Sequence, residues 1–161
     1  MEMRTLRSGD FKGLTDLILG VYRDTRISMW FDFEPTQREL EELFRYKIDS
    51  VGCGRSVDLI AVEEGRIIGE CEILLAEEVG VVGIIVEKGE RKKGLGTKLF
   101  NAAVEIAGKL GAKKFFADVA SENTAALEFF KKLGFKRRSV QAVANTENQD
   151  EKMPLRLELV L

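Results

Sequence analysis

Between Val79 and Leu110 the apolar pattern changes period once, across a loop that holds two glycines and three consecutive cations. Val79–Glu87 reads as a strand, with eight apolar or glycine residues from Val79 to Val86. From Leu95 the apolar residues fall at Leu99, Ala102, Ala103, Ile106 and Leu110, a helical spacing closed by Gly111. A further apolar strand, Lys114–Ala120, follows. Strand, helix and strand in that order imply one parallel pair, because a parallel return needs a crossover.

The flanks imply an otherwise antiparallel sheet. Val57–Val62, Ile67–Leu75 and Val79–Glu87 are three strands joined by short turns, one of them Glu63-Glu64-Gly65-Arg66. Met1–Arg7 reads as a strand. Asp10 is placed to cap a helix carrying Phe11, Leu14, Leu17, Ile18 and Val21. Thr36 and Glu39 form a T-x-x-E capping box before a second helix whose apolar stripe is Leu40, Leu43, Phe44 and Ile48. Asn123 caps a fourth helix with Ala126, Leu127, Phe130 and Leu133 on one face. Phe135–Val143 and Pro154–Leu161 read as two strands, and Ala144–Met153 as a polar, mobile loop. The expected class is α+β (mixed α/β), one domain over residues 1–161.

Composition excludes several chemistries. The chain has no histidine, which removes Ser–His–Asp and Cys–His units and every histidine-ligated metal site. No metal site is expected. Cys53 and Cys71 form no CxxC pair and suit a reducing compartment. The net charge is −2, against a nucleic-acid role. The longest apolar stretch is eight residues, where a membrane span needs ~20. A cytoplasmic protein is expected, with no membrane or nucleic-acid partner.

Charge is distributed unevenly. Residues 63–90 carry eight Glu and two basic residues, whereas residues 91–114 carry seven basic residues and one Glu. The cationic stretch begins at Arg91-Lys92-Lys93-Gly94-Leu95-Gly96-Thr97, where free helical N–H groups and the helix dipole favour an anion. A phosphate-bearing ligand fits; a helix-capping turn with solvated lysines is the plainer alternative. The spacing from Gly89 to Gly94 starts a Walker A loop, but Leu95 and Gly96 replace the Lys and Ser/Thr that would hold phosphate and Mg²⁺. The third glycine of a dinucleotide fingerprint is also missing.

Arg91-Lys92-Lys93-Gly94-Leu95-Gly96 resembles R/Q-x-x-G-x-G/A, the pyrophosphate loop of the GNAT superfamily of N-acetyltransferases. Asn123-Thr124-Ala125-Ala126 and Phe130-Lys131-Lys132-Leu133-Gly134-Phe135 are similar to that family's N-x-x-A and Y-x-x-x-G-F elements. The resemblance implies a mostly antiparallel sheet of about seven strands with one parallel pair, flanked by about four helices. It implies acetyl-CoA held by backbone N–H groups from Arg91 to Thr97. It also implies pantetheine pairing with Ile84, Ile85 and Val86, and contacts from Asn123 and Phe130. The implied acceptor is a small-molecule or peptide amine, and dimers occur in the family.

The usual proton-donating tyrosine is replaced by Phe130. The usual acid on the strand before the loop is missing from Val79-Gly80-Val81-Val82-Gly83. Candidate bases are Glu72 and Glu70, which share one strand face, and Glu78 at the start of the next strand. If the Glu70/Glu72 face lines the cleft, they attract an ammonium; if it meets water, they solvate the sheet. The resemblance also implies an acceptor pocket from the segment between the first two helices, with Trp30, Phe31 and Phe33 as an apolar wall and Asp32 and Glu34 selecting an amine; the plainer alternative is that these aromatics anchor the loop in the core. The implied activity is direct acetyl transfer in a ternary complex. The other reading is a CoA-binding sensor without turnover.

Overall fold

Strand alternation gives this chain two cores, one on each face of a single sheet. The computed structural model describes residues 1–26, 31, 33–138 and 154–161. The strands are β1 (Glu2–Thr5), β2 (Ser56–Glu63), β3 (Arg66–Ala76), β4 (Val79–Val86), β5 (Lys114–Val119), β6 (Lys136–Arg137) and β7 (Leu155–Val160). They lie in the order β1-β2-β3-β4-β5-β7-β6. Every neighbouring pair is antiparallel except β4 and β5, which are parallel. The helices are α1 (Phe11–Thr25), α2 (Gln37–Gly52), α3 (Leu95–Lys109) and α4 (Thr124–Lys132).

Leu59, Cys71, Ile73 and Val82 point to α3 and α4 and pack with Leu99, Phe100, Phe115 and Phe130. Ile60 and Ile67 point the other way and pack with Leu14, Leu17 and Ile18 of α1 and Leu40 of α2. Gly80 is a packing requirement of the first core. A Cβ there would lie 2.7 Å from Ile73 and 2.8 Å from Phe115, closer than van der Waals contact allows. An acid at position 80 would therefore point into apolar core and not toward the α1/α2 side.

The capping box before α2 is formed: the Thr36 hydroxyl accepts from Glu39 N–H at 3.3 Å, and Glu39 accepts from Thr36 N–H at 2.8 Å. Asn123 caps α4 by accepting from Ala126 N–H at 3.1 Å. Asp10 precedes α1 but makes no cap. Both its carboxylate oxygens accept from the Arg4 guanidinium at 2.8 Å, and one accepts from Arg7 N–H. The two-pronged ionic contact outcompetes a single capping bond. In the strand expected over Phe135–Val143, Lys136–Arg137 pairs with β7, and residues 139–153, with the expected polar loop, lie outside the described residues. No helix is long and apolar enough to cross a membrane among the described residues.

Candidate active site

β4 and β5 pair only over Val79–Val81 and Lys114–Phe116. β4 continues to Val86, while β5 continues to Val119 bonded on its other side to β7. Among the described residues, the edge of β4 from Val82 to Val86 therefore has no strand partner toward β5. Its backbone groups are available to an extended ligand, as an added strand would use them. Ile84 and Val86 lean on the α3 core, and Ile85 leans on the α1/α2 core.

The open edge runs into the glycine loop. Gly94 sits at φ +85°, the left-handed region that suits glycine, and is the N-cap of α3 without any side-chain cap. Lys98 N–H closes on Gly94 O at 3.1 Å, so the N–H groups of Leu95, Gly96 and Thr97 precede the first helical bond. A Cβ on Gly96 would lie 3.2 Å from the Phe129 ring and 3.6 Å from Ile84. Glycine thus lets the first turn of α3 settle between α4 and the open edge. Uncapped donors, the positive end of a 15-residue helix and a bare backbone fit a pyrophosphate.

The three cations of the loop have different tasks. Arg91 braces the loop: Nε donates to Val86 O at 2.9 Å and Nη1 to Asp24 at 2.6 Å, while its N–H donates to Lys88 O at 3.4 Å. Lys88 also pairs with Asp24 at 2.7 Å, and these two partners hold the Asp24 carboxyl below its usual range. Lys93 pairs with Glu90 at 3.1 Å. Lys92, at φ +61°, has no carboxylate partner among the described residues. Asn123 is committed to its cap, and Phe130 is buried edge-to-face against Phe129 and Phe135 at 5.3 and 5.0 Å.

Glu70 and Glu72 do not meet bulk water, because α2 covers them. Lys47 of α2 is fully buried, with Nζ 3.0 Å from Glu70, 2.9 Å from Glu72 and 3.3 Å from Asp58 of β2. Burial pushes the Glu72 and Asp58 carboxyls up, and neighbouring carboxylates add to it. Burial alone would lower Lys47, but its three acidic neighbours outweigh that and raise it. Strand register places Glu72 opposite Gly83 and Glu70 opposite Ile85, so both sit one strand from the open edge. Glu78 is at the other end of β4, in an exposed ion pair with Lys113. Cys71 lies on the opposite sheet face, fully buried, and its thiol is pushed up by burial, which suits a packing residue.

Lys47 and Asp58 were not among the expected site residues, although the sequence carries a signal for both. Lys47 continues the spacing of Leu40, Leu43 and Phe44 on the buried stripe of α2. Asp58 alternates with Ser56 and Ile60 on the inward face of β2.

Of the candidate acceptor wall, Phe31 packs against the α1/α2 core, while Trp30 and Asp32 lie outside the described residues. Beyond the open edge, the same sheet face carries Phe116, with Arg138 and Arg156 over its ring at 5.5 and 5.4 Å. Asp118 accepts two bonds of 2.7 Å from Arg156.

The sequence profile of the acetyltransferase (GNAT) family matches residues 23–135. An uncharacterized N-acetyltransferase of Methanocaldococcus jannaschii is 42% identical over 57 residues, which are 35% of this chain and 25% of that protein. Ribosomal-protein-alanine N-acetyltransferase from Brucella melitensis superposes with a TM-score of 0.78 at 16% identity, over 100% of both chains. YncA, a putative acetyltransferase from Salmonella typhimurium solved with acetyl-CoA, superposes with a TM-score of 0.78 at 18% identity, over 99% of this chain and 93% of that one.

Proposed function

Because the chain belongs to the GNAT acetyltransferase family, we propose that it transfers acetyl from acetyl-CoA directly to the primary amine of a small molecule or peptide. The observation that carries this reading is the open edge of β4 running into the uncapped N-terminus of α3. Acetyl-CoA supplies the activated acetyl thioester. The N–H groups of Leu95, Gly96 and Thr97 hold the pyrophosphate, Lys92 adds charge, and Gly94 and Gly96 keep side chains out of its way. Ile84, Ile85 and Val86 offer strand-edge bonds to the pantetheine amides. Lys93 and Arg91 set the loop's shape, Asn123 holds α4 against it, and Phe130 packs behind.

An amine reaches the site mostly as ammonium and must lose a proton before it can attack. Glu72 is the proposed acceptor of that proton, with Glu70 beside it. Both are carboxylates one strand from Gly83, and burial makes Glu72 more basic than an exposed carboxylate. The proposal leaves Glu78 aside, since β4 separates it from the loop by eight residues, ~26 Å of strand. Phe130 has no proton to give, so the departing thiolate takes its proton from the reacting amine or from water. A thiol of pKa ~8.5 is an adequate leaving group without general-acid help. The acceptor wall is proposed to form around Phe31 with Trp30 and Asp32. A homodimer and a cytoplasmic location are further proposals, resting on the resemblance and on the reduced thiols.

The test is release of free CoA thiol from acetyl-CoA across a panel of polyamines, amino acids and peptides. Release that depends on one amine class supports the transferase. Acetyl-CoA binding with no release from any amine supports a sensor instead.

A further inference from the structure

The Lys47 cluster holds more negative charge than one ammonium can balance. Asp58, Glu70 and Glu72 surround a single cation, and all four side chains are at least 96% buried. With every carboxyl ionised, this enclosed space would carry a net −2, which a low-dielectric interior does not tolerate. The hydrogen bonding gives the same result independently. Among the described residues, Asp58 Oδ1, Glu70 Oε2 and Glu72 Oε1 find no donor while all three groups are carboxylates. Asp58 and Glu72 are direct cross-strand partners, so their carboxyls leave from neighbouring positions on the same sheet face. The hydroxyls of Ser56, on the Asp58 face of β2, and Ser50, one turn beyond Lys47, are also buried without partners among the described residues.

We infer that Lys47 and Asp58 are positioning residues that keep one proton shared within the Asp58–Glu70–Glu72 group and so adjust Glu72 to take the proton an acceptor ammonium loses. The inference rests on the acetyltransferase reading above. Glu72 lies opposite Gly83, which puts no side chain between it and the open edge of β4. Lys47 keeps the group from becoming so proton-greedy that Glu72 is always acid; Asp58 keeps it from becoming too weak a base.

The other groups facing this space do not perform that task. Among the described residues, α1 buries Leu14, Thr15, Leu17, Ile18 and Tyr22, none of them a carboxylate or a cation. β4 adds Val81, Gly83 and Ile85 on this face, none of them titratable. In the reaction one N–H bond of the ammonium breaks as an O–H bond forms on Glu72. The amine nitrogen then bonds to the acetyl carbon while the carbon–sulfur bond breaks. The second nitrogen proton ends on the CoA sulfur, and the first passes from Glu72 to water.

The experiment compares the unmodified protein with Asp58→Asn and Glu72→Gln. It reads carboxyl carbon NMR titrations, and the pH profile of kcat/KM with the best amine of the panel. Asp58→Asn retains the shape and removes one negative charge, so it should fold. The expected result is one cluster carboxyl still in its acid form at pH ~7 in the unmodified protein. That acid signal should be gone in Asp58→Asn, and the acid limb of the pH profile should move down by about one pH unit. Glu72→Gln should lose kcat by ~10²-fold with KM for acetyl-CoA unchanged. Three ionised carboxylates in the unmodified protein, or an unmoved acid limb in folded Asp58→Asn, would overturn the inference. The acid signal present with no amine turned over would instead overturn the acetyltransferase reading, and with it the proton transfer, leaving a buried anchor for α2.

Discussion

Arg91 and Asp24 are 67 residues apart in sequence, and Arg91 Nη1 lies 2.6 Å from Asp24 Oδ2. The contact ties the glycine loop before α3 to the last turn of α1, ahead of the candidate acceptor segment in sequence. Asp24→Asn should loosen the loop and weaken acetyl-CoA binding about three- to tenfold, with little change in global stability. Because Lys88 and Arg91 lower the Asp24 carboxyl, the brace is complete above the unfolded value of ~3.9 and is lost as pH falls through the folded value. Calorimetric affinities at several pH values check this: the gap between unmodified and variant protein should close at the acid end.

Lys47→Met should be among the most damaging single substitutions in the chain. It leaves three buried carboxyls without their cation, a change that costs about 3–5 kcal/mol in comparable sites. Urea denaturation at neutral pH reads the loss directly.

Asp58→Asn should behave oppositely as pH rises. The folded-state values of Asp58 and Glu72 are raised. Their favourable contribution is therefore full below ~4, the unfolded range, and lost as pH rises through the folded values. The unmodified protein should lose ground to Asp58→Asn as pH rises from ~4 through the raised folded values. Melting temperatures of the two proteins across that window would expose a wrong sign.

Gly80→Ala should destabilise by about 1–3 kcal/mol, since its Cβ would sit 2.7 Å from Ile73 and 2.8 Å from Phe115 in a filled core. Thermal unfolding is sufficient to measure it. An unchanged melting temperature would mean that this core relaxes at no cost.

Much of the architecture was legible from periodicity. The change of period after Val86 implied the parallel β4–β5 pair, and the Thr36/Glu39 and Asn123 caps set two helix starts. The glycine turn and uncapped start of α3 were legible because local backbone chemistry makes them. Asp10 was misjudged because a cap competes with any arginine that tertiary folding brings near, and Arg4 arrives from the neighbouring strand. The Lys47 cluster joins three elements, α2, β2 and β3. Its residues each show on one element's inward face, but only sheet register and the docking of α2 bring them together. The charge of Arg91 was plain, whereas its use as a brace depended on where α1 ends.

The central claim is that the N-terminus of α3 and the open edge of β4 bind acetyl-CoA. Calorimetric titration of acetyl-CoA into the unmodified protein and into Gly94→Glu tests it most directly. The position is at φ +85° with open space around it. A glutamate there strains the turn and puts an anion where the pyrophosphate would lie. The account predicts saturable one-to-one binding by the unmodified protein and none by the folded variant. No binding by the unmodified protein, shown to be folded and free of co-purified CoA, would contradict it, as would equal binding by both.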